Sequence, residues 1–146
     1  MSWVSIWIHL VFSTKNRKPY LHTAIRKQVF HHIKENAKQK CIWVDCVNGY
    51  SDHVHCLISL TKEQNISEVA QLIKGESSYW INKNKLTSDK FAWQDDYWAA
   101  SVSKGHLQAT RNYIFNQEEH HQKKLFAREI EELMNKYGWN PASEEK

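Results

Sequence analysis

"SDHVHCLISL", Ser51 to Leu60, decides the fold: it reads as a strand, and it sets two histidines on one side of that strand. Alternation sends residues i and i+2 to the same face. Val54, Cys56, Ile58 and Leu60 then form one apolar face, while His53, His55, Leu57 and Ser59 share the other. Just upstream, "CIWVDCVNGY" (Cys41–Tyr50) is β-branched and aromatic and reaches Asn48-Gly49, a hairpin signal. Residues 41–60 are therefore expected to form a hairpin turning at Asn48-Gly49. Paired imidazoles are ion ligands or polar surface, and most such pairs bind nothing.

Working outward, residues 3–13 alternate as well. Val4, Ile6, Ile8, Leu10 and Phe12 make an apolar face, with Trp3, Ser5, Trp7, His9 and Val11 opposite. "HTAIRKQVFHHIKENAKQK" has helical spacing at Ile25, Val29, Phe30 and Ile33, with Thr23 as the expected cap. "SEVAQLIKGESSYWINKNK" is a second helix, with Val69, Ile73 and Trp80 as buried candidates. A loop leads to a short strand near Ala99–Ser103. Two helices follow, about 106–121 and 125–137, the second stopped by Gly138. The order β-α-β-β-α-β predicts an α+β fold: a ferredoxin-like split βαβ antiparallel sheet with two appended C-terminal helices. In that arrangement strand one lies beside strand three, so His9 joins His53 and His55 on the face away from the first two helices. The helix at 106–121 is the nearest lid for that face.

The totals are those of one soluble domain, 1–146, with 139–146 as a flexible tail. No apolar run approaches a membrane span, and "MSWVSIWIHLVFSTK" lacks a basic n-region, so a cytoplasmic protein without membrane contact is expected. Three cysteines (Cys41, Cys46, Cys56) without framework spacing read as free thiols. Residues 1–40 carry eight Lys or Arg against the single acid Glu35, a net +7, while the whole chain is only +4. That asymmetry suits a polyanion such as nucleic acid, and a solvated helix face explains it equally well.

"HLQATRNYIFNQEEHHQ" places Tyr113 and Gln117 four residues apart, about 40° from each other around a helix. Alone, Tyr113 reads as a core aromatic and Gln117 as surface. Over a sheet face bearing His-x-His the pair reads differently. Two imidazoles and an amide oxygen are three neutral ligands that leave positions open. A phenol beside such an ion is placed to attack phosphorus, because the cation stabilises charge gathering on the phosphoryl oxygens.

"DHVHCLI" resembles the HUH motif (His, large hydrophobic, His), and "YIFNQ" resembles the Tyr-x-x-x-Gln of single-tyrosine HUH transposases. "FSTKNRKP", "WQDDYWAASVS" and "NYIFNQEEHH" are similar to segments of the insertion-sequence 200/605 type, including the REP-associated tyrosine transposases. The resemblance spans roughly residues 4–138. It implies a DNA transposase, an endonuclease and strand transferase acting on single-stranded DNA with hairpins at element ends. Tyr113 would attack the scissile phosphate to give a 5′-phosphotyrosine and a free 3′-OH. His53, His55 and Gln117 would hold one Mg²⁺ or Mn²⁺, with His9 as a possible outer contact. A homodimer with composite active sites is also implied. Asp96 stands where many relatives have Gly, and Cys56 where an aliphatic is usual. Lys15, Arg17 and Lys18, just after the first strand, are the phosphate-contact candidates, followed by Lys74 and Arg111.

Other readings compete. A zinc site from Cys41, Cys46, His53 and His55 is disfavoured, because the two cysteines, an odd number apart on one strand, face opposite sides. A domesticated or inactive DNA-binding protein of the same fold would keep the basic first third without the chemistry. The tryptophans read mostly as core or interface, with Trp3 and Trp7 on the lidded face, and His120 and His121 as helix-end cations. Of the acids near the pair, Asp52 alternates away from the histidines if the strand already begins there.

Overall fold

Alternation in the first strand segment carries through to pairing. In the computed structural model, which describes residues 1–121 and 124–139, β1 spans Ile6–Ser13. β2 (Trp43–Gly49), β3 (His53–Leu60) and β4 (Trp98–Ser101) complete one antiparallel sheet in the order β2-β3-β1-β4. The apolar face of β1 and β3, with Leu10, Phe12, Val54, Cys56 and Ile58, packs under α1 (Thr23–Gln39) and α2 (Ile66–Lys83). Those helices contribute Val29, Phe30 and Ile33, and Val69, Ala70 and Ile73. This is the expected split βαβ architecture. Val4, ahead of the sheet, and Ile6, the first residue of β1, are left exposed.

Local chemistry corrects several details. Thr23 is the first residue of α1, not its cap; His22 holds the N-cap position without a side-chain bond. α2 is capped by Asn65, whose side-chain oxygen accepts from the Glu68 backbone N–H at 2.9 Å. The hairpin does not turn at Asn48-Gly49. Asn48 pairs with His55 and Gly49 with Val54, so the turn is Tyr50–Asp52. Its outer carbonyls are taken by the chain: Leu21 N–H donates to Ser51 O, and Thr14 N–H to Asp52 O, both at 2.9 Å. Gly49 is needed for another reason: a Cβ there would overlap the His53 carbonyl oxygen.

A bulge shapes β2. Val44 pairs with Ile58 and Cys46 with Leu57, leaving Asp45 over. Val44 therefore packs on the α1–α2 side, and Cys46, two residues later, on the other. The expected helix at 106–121 is interrupted too. A 3-10 turn (Lys104–His106) leads into α3 (Leu107–Phe115), and after Asn116 comes the short α4 (Gln117–His121). α5 (Phe126–Tyr137) ends at Gly138, whose φ of 70° is the left-handed helix stop that glycine favours.

The lid over the second face is thus shared. Ile114 of α3 packs with Leu57, Cys46 and Val102, whereas Phe126, Ile130 and Leu133 of α5 pack on Val11. Of the expected tail, 140–146 lie outside the described residues; Trp139 donates its indole N–H to Ala99 O at 3.0 Å. Trp7 lies in the lidded layer as expected, while Trp3 is exposed. Among the described residues no helix is long and apolar enough to cross a membrane.

Candidate functional site

β3 starts at His53, so His53 and His55 rise side by side from the lidded face, and both are fully buried. His9, on the neighbouring strand, completes a row: its Nε2 lies 2.8 Å from His55 Nδ1, and its Nδ1 lies 2.9 Å from the Tyr137 hydroxyl. Gln117 opens α4 and is also fully buried, with Oε1 3.0 Å from His53 Nε2. The break at Asn116 separates Tyr113 and Gln117 into two helices but keeps both over the histidines. Tyr113 crosses His55 edge-on, with ring centroids 5.6 Å apart.

The centre of the cluster is Glu129 of α5. Its Oε1 lies 3.2 Å from Nε2 of both His53 and His55 and 2.9 Å from His121 Nε2. Its Oε2 accepts the Tyr113 hydroxyl and, at 3.0 Å, the Gln117 amide N–H. This carboxylate stands beside the neutral set expected from His53, His55 and Gln117. Because the strand begins only at His53, Asp52 does not alternate away: it turns back, and its Oδ1 lies 2.9 Å from His53 Nδ1. His121, read as a helix-end cation, is instead in contact with the carboxylate at the centre, and Tyr50 stacks on it.

Electrostatics follows from the partners. Burial works to lower the His53 pKa, but hydrogen bonds to Asp52 and Glu129 outweigh it and raise the value. Both nitrogens of His53 face acceptors. His55 is pushed down to about 4, first by burial, with Glu129 opposing, so it stays neutral. Burial, aided by His55, drives His9 well below its ordinary value. Burial would raise Glu129, yet hydrogen bonds from His121, His53 and His55 hold it far below the carboxylate range. Burial and then the Glu129 charge push the Tyr113 phenol far up.

The donor chemistry fits a hard or borderline divalent cation. One ligand atom from each of His53, His55 and Glu129 lie within 4.8 Å of one another, two imidazole nitrogens and one anionic oxygen. Gln117 Oε1 faces the same nitrogen of His53. No cysteine belongs to this cluster. Cys41 is exposed, and burial pushes the Cys46 thiol up to about 12.

The basic candidates divide. Lys15, Arg17 and Lys18 are exposed on the turn after β1, where Asn16 and Arg17 both have left-handed backbone (φ 57° and 54°). Arg17 lies 5.2 Å over the Phe126 ring, and Phe126 stacks on His53 at 4.1 Å, so this turn borders the cluster. Lys74 instead donates to the carbonyls of Gln94, Asp95 and Asp96, at 2.6 to 3.3 Å. Arg111 pairs with Asp45, the bulge residue, through two bonds of 2.8 and 3.3 Å. Asp96 is not among the residues with positive φ, so the absent glycine leaves no left-handed backbone there.

Fold and cluster define a class: a split βαβ sheet whose histidine-bearing face is covered by a tyrosine-bearing helix. Within it, the chain belongs to the IS200-like transposases, whose family model (Transposase IS200 like) matches residues 2–117. A "putative transposase" from Deinococcus radiodurans has the same fold, with TM-score 0.63 and 20% identity over 80% of this chain and 93% of that one. A REP-associated tyrosine transposase, solved bound to a REP hairpin, gives 0.62 at 15% identity over 83% and 72%. No curated protein matches the chain. The family match supports a transposase role, and it ends at Gln117; His121, Glu129 and Tyr137 lie beyond it.

Proposed function

We propose that this chain cleaves and rejoins single-stranded DNA next to a hairpin, with Tyr113 as nucleophile. The observation that carries the reading is one carboxylate, Glu129, touching the Tyr113 hydroxyl with one oxygen and the two histidines with the other. His53, His55 and Glu129, with Gln117 alongside, would hold Mg²⁺ or Mn²⁺. When bound, the cation supplies charge stabilisation at the scissile phosphate. The Tyr113 hydroxyl gives up its proton on the Glu129 side, and its oxygen forms a bond to phosphorus as the P–O3′ bond breaks. The DNA 5′-phosphate stays on the tyrosine, and the 3′ oxygen leaves and gains a proton. Rejoining reverses these steps without an external energy source. The hairpin preference is supported by likeness to the REP-hairpin complex and by the family.

Tyr113→Phe removes only the hydroxyl. On hairpin-bearing single strands it should abolish the denaturant-resistant protein–DNA adduct and leave hairpin binding close to wild type. An adduct in the variant would overturn the assignment. Lys15, Arg17 and Lys18 are the phosphate contacts in this proposal, while Lys74 and Arg111 already spend donors inside the chain. Lys15→Ala/Arg17→Ala should flatten the salt dependence of binding by about one unit of slope per lost contact. An unchanged slope would take that turn off the DNA surface.

One observation favours a second reading, an inactive hairpin-binding protein of the same fold: His53, His55 and Gln117 have no exposed surface. The adduct assay on the wild type separates the two.

A further inference from the structure

The hydrogen bonds behind His55 form an uninterrupted line: Tyr137 hydroxyl, His9 Nδ1, His9 Nε2, His55 Nδ1, His55 Nε2, Glu129 Oε1. The steps between residues are 2.9, 2.8 and 3.2 Å, and His9, His55 and Glu129 are buried. The carboxylate at its end only accepts, which fixes every proton upstream. His55 must donate from Nε2. Its Nδ1 is then bare and accepts from His9 Nε2–H. His9 Nδ1 is bare in turn and accepts the Tyr137 O–H. In this state His55 has no lone pair free at the nitrogen that faces the cluster.

We propose that Tyr137 and His9 form a tautomer relay that frees His55 Nε2 when a divalent cation is taken up, making them positioning residues for that cation. The inference rests on the reading that His53, His55 and Glu129 hold the ion. With the lone pair of His55 Nε2 directed at the cation, the proton it carried leaves toward Glu129, and His9 Nε2 hands its own proton to His55 Nδ1. His55 Nδ1–H then donates to His9 Nε2, and His9 Nδ1–H donates to the Tyr137 oxygen. One proton leaves at the Glu129 end and one enters at the half-buried Tyr137 end, so the two imidazoles stay neutral throughout. Tyr137 is suited to that end position because a hydroxyl both donates and accepts. His53 needs no relay, since Asp52 accepts from its Nδ1 in either state. The line crosses from the sheet to the last residue of α5, which ties retention of that helix to the state of the ion site.

The test is imidazole ¹⁵N spectroscopy on the full chain with labelled histidine, chelated and then with Mg²⁺ alone as the diamagnetic probe. His9 and His55 should both carry the proton on Nε2 without the ion and on Nδ1 with it. If His53 and His55 respond while His9 keeps its proton on Nε2, the relay is overturned and the metal site stands. If no histidine responds to Mg²⁺ or to added Mn²⁺, the metal reading fails and takes the relay with it. Tyr137→Phe supplies a second measurement. Its Mn²⁺ affinity by calorimetry should fall about 10- to 100-fold, the usual cost of losing such an outer partner, with thermal unfolding little changed. Unaltered affinity in that variant would also overturn the relay.

Discussion

Glu129 lies on the buried stripe of α5 with Phe126, Ile130 and Leu133, the i, i+3, i+4, i+7 spacing of a core-facing helix edge. An acid at such a position is buried only where partners hold it, and here three histidines do. The same burial makes the metal-free protein sensitive to acid in a definite window. His55 drops from 6.5 to about 4 and His9 falls too, so between those values the unfolded chain binds protons that the fold refuses. Their stabilisation is present above the ordinary histidine value and is lost as pH falls. His53, raised, behaves oppositely: its contribution is complete below 6.5 and fades only as pH climbs through the raised value. Glu129, depressed, loses its contribution only below about 4.5. Urea unfolding in chelator should therefore show stability falling by about 3 kcal/mol from His55 alone between about pH 7 and pH 4. A flat profile would mean that His55 is protonated in the fold. Most of this site was legible: His53, His55, Tyr113 and Gln117 follow from spacing and resemblance. Glu129 carries a signal, an acid on an apolar stripe, but "REIEEL" fits a solvated helix face equally well. The side to which Asp52 turns depends on one residue of strand boundary, which alternation alone does not set.

Strands were the most legible elements, since alternation is enforced by burying one face, and β1 and β3 pair as the pattern requires. What escaped was decided by contacts distant in sequence. The turn moved off Asn48-Gly49 because the segment after it is held by backbone bonds from Thr14 and Leu21. The bulge at Asp45 goes with a partner on α3, Arg111. The helix break at Asn116 follows no Gly or Pro, and a single-sequence reading runs through it. Gly49 gives the sharpest consequence. A methyl there would meet backbone rather than a side chain able to turn away. Gly49→Ala should cost about 3 kcal/mol in urea unfolding, at the upper end of overpacking effects, and should weaken Mn²⁺ binding by shifting the start of β3. A cost well under about 1 kcal/mol would show that the hairpin yields instead.

Across the whole molecule, two ends of one sheet have different characters. His53 pairs with Ser13 at one end of β3, beside the basic turn Lys15–Lys18; Leu60 pairs with Ile6 at the other. Near that second end Trp3, Val4, Ile6 and Trp43 are exposed, at 84, 48, 38 and 55%. Apolar residues so grouped suit a contact between two copies, in keeping with the homodimer that the resemblance implies. Eight residues of strand separate the two ends, roughly 25 Å. A dimer joined there would keep each Tyr113 far from its partner's histidines, and one chain already brings Tyr113, His55, Gln117 and Glu129 into contact. The arrangement within one chain predicts that each chain uses its own tyrosine, where the resemblance implies composite sites. Mixing Tyr113→Phe with His53→Ala protein, after an unfolding and refolding step that lets subunits exchange, should restore no adduct formation on hairpin-bearing strands. Light scattering on the same mixture reports whether mixed dimers had formed. Recovery of activity in proportion to the mixed dimer would show that the tyrosine acts across the interface, and that α3 leaves the position it holds here.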